Sequence, residues 1–217
     1  MNLDKLLFKE VNRLYKKRFK RFAKYYLNDS KKSVNKLSRD YEKSGKFPVH
    51  IIKAISSIKK EEYNSAVCIL RGALPYSVLF EAYGWKVHYV LCGRRNGWPK
   101  PDMMSKRFNM NVDRSIKNIR GKKVLLIENN VFNAASSRRV YLELKNSLNI
   151  KKPSLFIDYY VPRTSHMLKF PKSAFLEYNP NLRKSFGKIY VASRFNVSKA
   201  ERENLIKDTL DRIRHIK

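Results

Sequence analysis

The run SAVCIL at 65–70 is uniformly apolar or small between polar neighbours, and KVLLI at 123–127 has the same form. So short and unbroken an apolar run is buried on both faces, as a strand inside a parallel sheet is. Each run is followed by a turn and then by a helical stretch. Leu74, Val78, Leu79 and Ala82 share one side of 74–83, and Gly84 ends that helix. After the second run, 135–148 reads as a helix. Further strands are expected at 86–91, at 154–160 (SLFIDYY) and at 188–192. Strands alternating with helices argue for an α/β fold with a parallel-sheet core.

The flanks have a different pattern. Over 3–27, Phe8, Val11, Tyr15, Phe19, Phe22 and Tyr26 recur at spacings of three and four, which predicts one apolar helical stripe. A more polar helix is expected over 30–44 and another over 50–60, separated by Phe47-Pro48. The expected organisation is a basic helical N-terminal segment, 1–62, appended to an α/β domain, 63–217. The stretch 93–111 carries two prolines and several cations without periodicity, so it reads as a long mobile loop. A short helix is expected at 112–119, and 161–187 reads as irregular. Ser198 followed by Glu201 fits a capping box, opening a C-terminal helix with Ile206, Leu210 and Ile213 inward.

Charge narrows the partners. Lysine and arginine number 48 against 18 acids, for a net charge of +30 and a pI near 10.2. Such an excess attracts polyanions, although an AT-rich genome would also enrich lysine along a whole chain. No run of apolar residues is long enough to cross a membrane, and the basic N-terminus lacks the apolar core of a secretory signal. Cys68 and Cys92 both sit in apolar surroundings and read as reduced thiols of a cytoplasmic protein. His50, His88, His166 and His215 have no metal-ligand spacing, so no protein metal site is expected from them.

The chemistry is expected where the second apolar run ends. In an open parallel sheet, ligands bind beyond the carboxyl ends of the strands. After Ile127 come Glu128-Asn129-Asn130-Val131-Phe132-Asn133-Ala134-Ala135-Ser136-Ser137 and then the helix. Small and hydroxyl residues at a strand-to-helix turn let backbone N–H groups converge on an anion, and the helix N-terminus adds positive potential. Arg138 and Arg139 follow directly. Glu128 and Asn129 at the strand tip can bond vicinal hydroxyls of a sugar. Upstream, Arg71-Gly72 follows the first apolar run, where glycine lets the backbone approach a diphosphate and the guanidinium pairs with it.

Hydrophobics, acids and then a small, hydroxyl-rich turn resemble the phosphoribosyl pyrophosphate (PRPP) motif of type I phosphoribosyltransferases. Val124 to Ile127 stand at the hydrophobic positions and Glu128 at the first acid. Asn129 stands where that family has its second acid; it can bond a hydroxyl but supplies no charge. Asn133, Ala134, Ala135, Ser136 and Ser137 occupy the 5-phosphate turn, with Ala134 in place of the usual glycine and Phe132 bulky for such a loop. Ile69 to Pro75 is similar to the family's pyrophosphate loop, and 93–111 falls where its flexible catalytic loop lies. The likeness covers about 65–160.

The resemblance implies an α/β fold of the type I phosphoribosyltransferase kind. It implies Glu128, Asn129 and Arg71 as catalytic residues, with Arg71, Gly72, Arg94 and Arg95 on the pyrophosphate. It also implies PRPP and a nitrogenous base as substrates, with Mg²⁺ accompanying the diphosphate. A homodimer is the assembly held open. A second expectation is a protein of this fold with impaired chemistry, acting on nucleic acid through its basic N-terminal helices. A third is a structural component of a ribonucleoprotein or other large assembly.

Overall fold

The computed structural model describes residues 2–22, 49–70, 72–92, 108–109, 114–131, 135–160 and 180–216. Its centre is a sheet of strands β1 (Ser65–Leu70), β2 (Val87–Cys92), β3 (Phe108–Asn109), β4 (Val124–Val131), β5 (Ser154–Tyr160) and β6 (Ile189–Val191) in the order β3-β2-β1-β4-β5-β6. All neighbours pair in parallel except β2 with β3. The expected α/β class with a parallel-sheet core is what the chain forms. β1 and the later strand at 154–160 have the bounds that the apolar pattern predicts.

Two results differ from expectation. The two-residue strand β3 lies inside the stretch read as a loop, most of which falls outside the described residues, as does the helix expected at 30–44. More consequentially, β4 continues past Ile127 to Val131. Its ladder with β5 runs from Leu125↔Ser154 to Val131↔Tyr160, so the polar residues Glu128 and Asn129 lie within a paired strand. Backbone pairing to a neighbour outweighs the turn preference of an Asn-Asn pair.

The helices are α1 (Leu3–Phe22), α2 (Val49–Ser57), α3 (Leu74–Ala82), α4 (Ala135–Leu148), α5 (Pro180–Ser185) and α6 (Lys199–Arg214). One face of the sheet is covered by α1, α2, α3 and α6. Leu7, Leu14, Ile51, Ile55 and Leu210 join Leu125, Ile127 and Phe156 in a single apolar cluster. The described helices of the basic N-terminal segment therefore share a core with the sheet. Phe80 lies edge-on to Phe156 and Trp85 at ring separations of 5.0 and 5.3 Å. Arg18 on α1 reaches Glu81 on α3 at 2.7 Å, and Tyr89 on β2 donates to the same carboxylate at 2.7 Å. The opposite face carries α4 and the 3₁₀ turn Arg114–Ile119, with Val140, Leu144 and Ile116 against Leu126, Leu155 and Ile157.

The caps follow from sequence. Gly84 ends α3 at φ 76°, with its N–H on the Glu81 carbonyl and the Trp85 N–H on that of Phe80, a Schellman closure. Ser198 accepts the Glu201 N–H at the start of α6. Among the described residues no helix is long and apolar enough to cross a membrane. Cys68 is a buried free thiol.

Candidate functional site

From β1 the chain moves through α3 to β2 on one side; from β4 it moves through α4 to β5 on the other. Right-handed crossovers in opposite directions put α3 and α4 on opposite faces. The connections after β1 and β4 diverge, leaving a crevice beyond the carboxyl ends of these adjacent strands, the switch point at which open sheets bind ligands.

Two of the expected regions meet there. Gly72, just after β1, packs so closely on β4 that a Cβ at this position would stand 3.1 Å from the Cβ of Asn129. A side chain here would press on Asn129, which would have to yield by a few tenths of an ångström. Arg71, Arg94, Arg95, Asn133 and Ala134 lie outside the described residues, and Ala135 is described as the first residue of α4 by its backbone.

Because successive strand residues point to opposite faces, Glu128 and Asn129 are separated by the sheet. Glu128 turns toward α4, where the Ser137 hydroxyl donates to its Oε2. Ser137 is fully buried, and its hydroxyl is directed at the protein's own carboxylate; Ser136 keeps partial exposure. The Glu128 charge thus lies against the first turn of α4, where the helix dipole favours an anion. An incoming phosphate would meet a carboxylate already held there. Arg139 pairs along the helix with Glu143.

Asn129 turns the other way, into a polar network that caps the helical face. Tyr76 Oη on α3 lies 2.6 Å from Asn129 Oδ1 and 3.0 Å from Asp158 Oδ2. His50 Nε2, at the start of α2, lies 2.9 Å from Asp158 Oδ1. The β4–β5 register explains the juxtaposition: Glu128↔Ile157 and Asn130↔Tyr159 set Asn129 beside Asp158. Asp158 is 6 % exposed, so its polar partners offset the cost of burial. The sequence marks neither Tyr76 nor His50 as a site residue, and Asp158 reads there equally as a base contact or a strand-edge acid. One acid inside the otherwise apolar SLFIDYY was the available signal.

Among the described residues the donor set builds no protein magnesium site. Among the described residues no three of His, Cys, Asp and Glu gather in one place. Glu128 and Asp158 face opposite sides of the sheet, and Asp158 is engaged by Tyr76 and His50.

No family model matches the chain, and no curated protein matches it. Among solved structures it is similar to a hypothetical protein from Neisseria gonorrhoeae with bound ppGpp, at 10 % identity and a TM-score of 0.43, covering 73 % of this chain and 91 % of that one. It is also similar to a hypoxanthine-guanine-xanthine phosphoribosyltransferase, at 13 % identity and a TM-score of 0.36, covering 66 % and 71 %. A hypoxanthine phosphoribosyltransferase from Staphylococcus aureus is similar at 16 % identity and a TM-score of 0.36, covering 53 % and 65 %. At these scores the fold class rests on this chain's own strand order.

Proposed function

We propose that this chain is a phosphoribosyltransferase-like enzyme that holds PRPP at the switch point between β1 and β4. It transfers ribose 5-phosphate to a nitrogenous base. The base nitrogen's lone pair forms the bond to C1′ as the C1′–O bond breaks, and that electron pair leaves with pyrophosphate. The observation that carries the reading is the convergence of Gly72 on Asn129 beside Glu128 and the first turn of α4.

In this reading the Gly72 backbone and the cations Arg71, Arg94 and Arg95 face the diphosphate. Asn129 faces the ribose hydroxyls from the Gly72 side of β4 and Glu128 from the α4 side, and the backbone of the segment 133–137 faces the 5-phosphate. Catalysis is positional and electrostatic. Mg²⁺ enters only as the ion a diphosphate carries, since magnesium is commonly held by substrate phosphates more than by protein cages.

Calorimetry with PRPP and Mg²⁺ tests the reading, with pyrophosphate release as the companion assay. Wild type is expected to bind, and Glu128→Ala to bind less tightly. Undetectable binding at millimolar ligand removes the proposal. Tighter binding by Glu128→Ala would mark the carboxylate as an occupant of the phosphate position and cancel its sugar-binding role.

A second reading is favoured by one surface. Lys5, Lys9, Arg13, Lys16, Lys17 and Lys20 are exposed along α1, opposite its buried Leu7, Val11 and Leu14. Their spacing of three and four makes a continuous basic stripe suited to a nucleic-acid backbone. A gel shift with RNA or DNA across a salt series decides this. Binding should weaken steeply with salt and with Lys9→Glu/Lys16→Glu; no affinity at low salt ends the idea.

A further inference from the structure

Tyr76 has one hydroxyl proton and two facing oxygens, Asn129 Oδ1 at 2.6 Å and Asp158 Oδ2 at 3.0 Å. A phenol donates once, so one of these contacts sets oxygen against oxygen. The conflict disappears when the Asn129 amide is turned over, a change that leaves its shape unaltered. Its NH₂ then donates to the phenol oxygen, the phenol donates to Asp158, and His50 Nε2–H donates to the other oxygen of Asp158. Each of these three hydrogen bonds then has one donor and one acceptor, and the buried Asp158 carboxylate accepts from both sides.

The turn has a consequence at the crevice. As placed, Asn129 Nδ2 lies 3.5 Å from where a Cβ of Gly72 would stand; once turned, the carbonyl oxygen holds that position. We propose that Asp158, acting through Tyr76, orients Asn129 so that its carbonyl oxygen faces the crevice beside Gly72 and accepts a ribose hydroxyl. Asp158 and Tyr76 are thereby positioning residues. This rests on the PRPP reading and deepens it. The acid absent from residue 129 sits one strand over, on β5, and it orients the amide instead of touching the sugar. Through His50 it also ties α2 to the strand tip.

The ligand-independent test is a carboxylate–amide swap followed by thermal unfolding at pH 7. Asn129→Asp removes the donor and sets a second carboxylate across one phenol proton, so its midpoint should fall. Asp158→Asn deprives His50 and Tyr76 of their common acceptor, so its midpoint should fall as well. In the double variant the relay runs backwards. Tyr76 donates to the carboxylate now on β4, the amide now on β5 donates to the phenol, and the carbonyl of that amide accepts from His50. Recovery of more than half of the summed loss is expected, because directly coupled residues are non-additive. A silent Asp158→Asn, or a double variant no better than the sum, overturns the orientation.

The ligand test is calorimetry with PRPP on Tyr76→Phe, which keeps the ring against Phe156. Affinity about ten-fold weaker is expected, the size of one lost positioning hydrogen bond, together with a lowered midpoint because the buried Asp158 carboxylate loses a donor. Unchanged affinity overturns the positioning role. If wild type itself fails to bind PRPP, the functional reading and the ribose contact fall together, while the swap still decides which way the amide is turned.

Discussion

The two faces of the sheet end differently at the same strand tip. On the face covered by α1, α2, α3 and α6, the apolar cluster around Leu125, Ile127 and Phe156 gives way to His50, Asp158, Tyr76 and Asn129, drawn from α2, β5, α3 and β4. On the face covered by α4, the row of Val124 and Leu126 ends in Glu128, which bonds Ser137 nine residues away. One face is closed by a long-range network, the other by a local pair. A perturbation of the first should be felt by the whole fold, and one of the second mainly by the crevice.

The sharpest way to break that contrast is to cut each core at its centre. Phe156 is fully buried and touches the rings of both Phe80 and Tyr76. Phe156→Ala should cost about 4 kcal/mol in urea unfolding, while Leu144→Ala, under α4, should cost about 3 kcal/mol. A larger loss for Leu144→Ala would reverse the ranking of the two faces. Next in size is Glu81→Ala, which removes the carboxylate shared by the Arg18 guanidinium and the Tyr89 hydroxyl. The Arg18 and Glu81 side chains are 17 % and 18 % exposed, so breaking the pair should cost about 3 kcal/mol and loosen α1 from α3. Faster amide exchange in α1 is the accompanying signature. Unaltered exchange there would show that apolar packing alone holds that helix.

How much of this was legible in the chain follows the same division. β1, β5 and α4 announce themselves because their signals are local: apolar runs of strand length and a helix with small residues at its start. The tip of β4 was misplaced because Glu128-Asn129-Asn130 reads as a turn unless the ladder to β5 is known. The pair Glu128 and Asn129 was legible as polar residues at a strand end, but the pleat that sends them to opposite faces depends on the strand continuing. His50 and Tyr76 were not legible as site residues. Their partner Asp158 lies 108 and 82 residues away, and nothing in a linear pattern sets α2 and α3 over the same point of β5.

Ser137→Ala isolates the local pair. It removes the buried hydroxyl that donates to Glu128, and the carboxylate is partly exposed, so the loss should be about 1 kcal/mol. The helical face should report nothing: amide exchange in α1 and α2 should match wild type. Slower or faster exchange in either helix would show that the two faces are coupled through β4 after all.

The smallest effect concerns the helical face at high pH. Burial pushes the Tyr15 phenol up to about 12 and raises that of Tyr89 further, in the latter case with the Glu81 charge adding to it. A raised folded-state pKa means the unfolded chain loses its phenol protons first, from about pH 10. The stability tied to these groups is therefore complete below about pH 10 and declines as pH climbs toward 12, because the folded state binds more protons than the unfolded. Tyr15→Phe removes one of these titrations. It should leave neutral-pH stability almost unchanged and reduce the loss between pH 10 and 11 by less than about 1 kcal/mol, the full linkage of about 1.4 kcal/mol per pH unit being lessened by the partial exposure of α1. A variant whose alkaline decline is as steep as wild type would mean that the Tyr15 phenol reaches water in the folded protein. The contrast between the faces would then rest on the network below Phe156 and on the Arg18–Glu81–Tyr89 cluster alone.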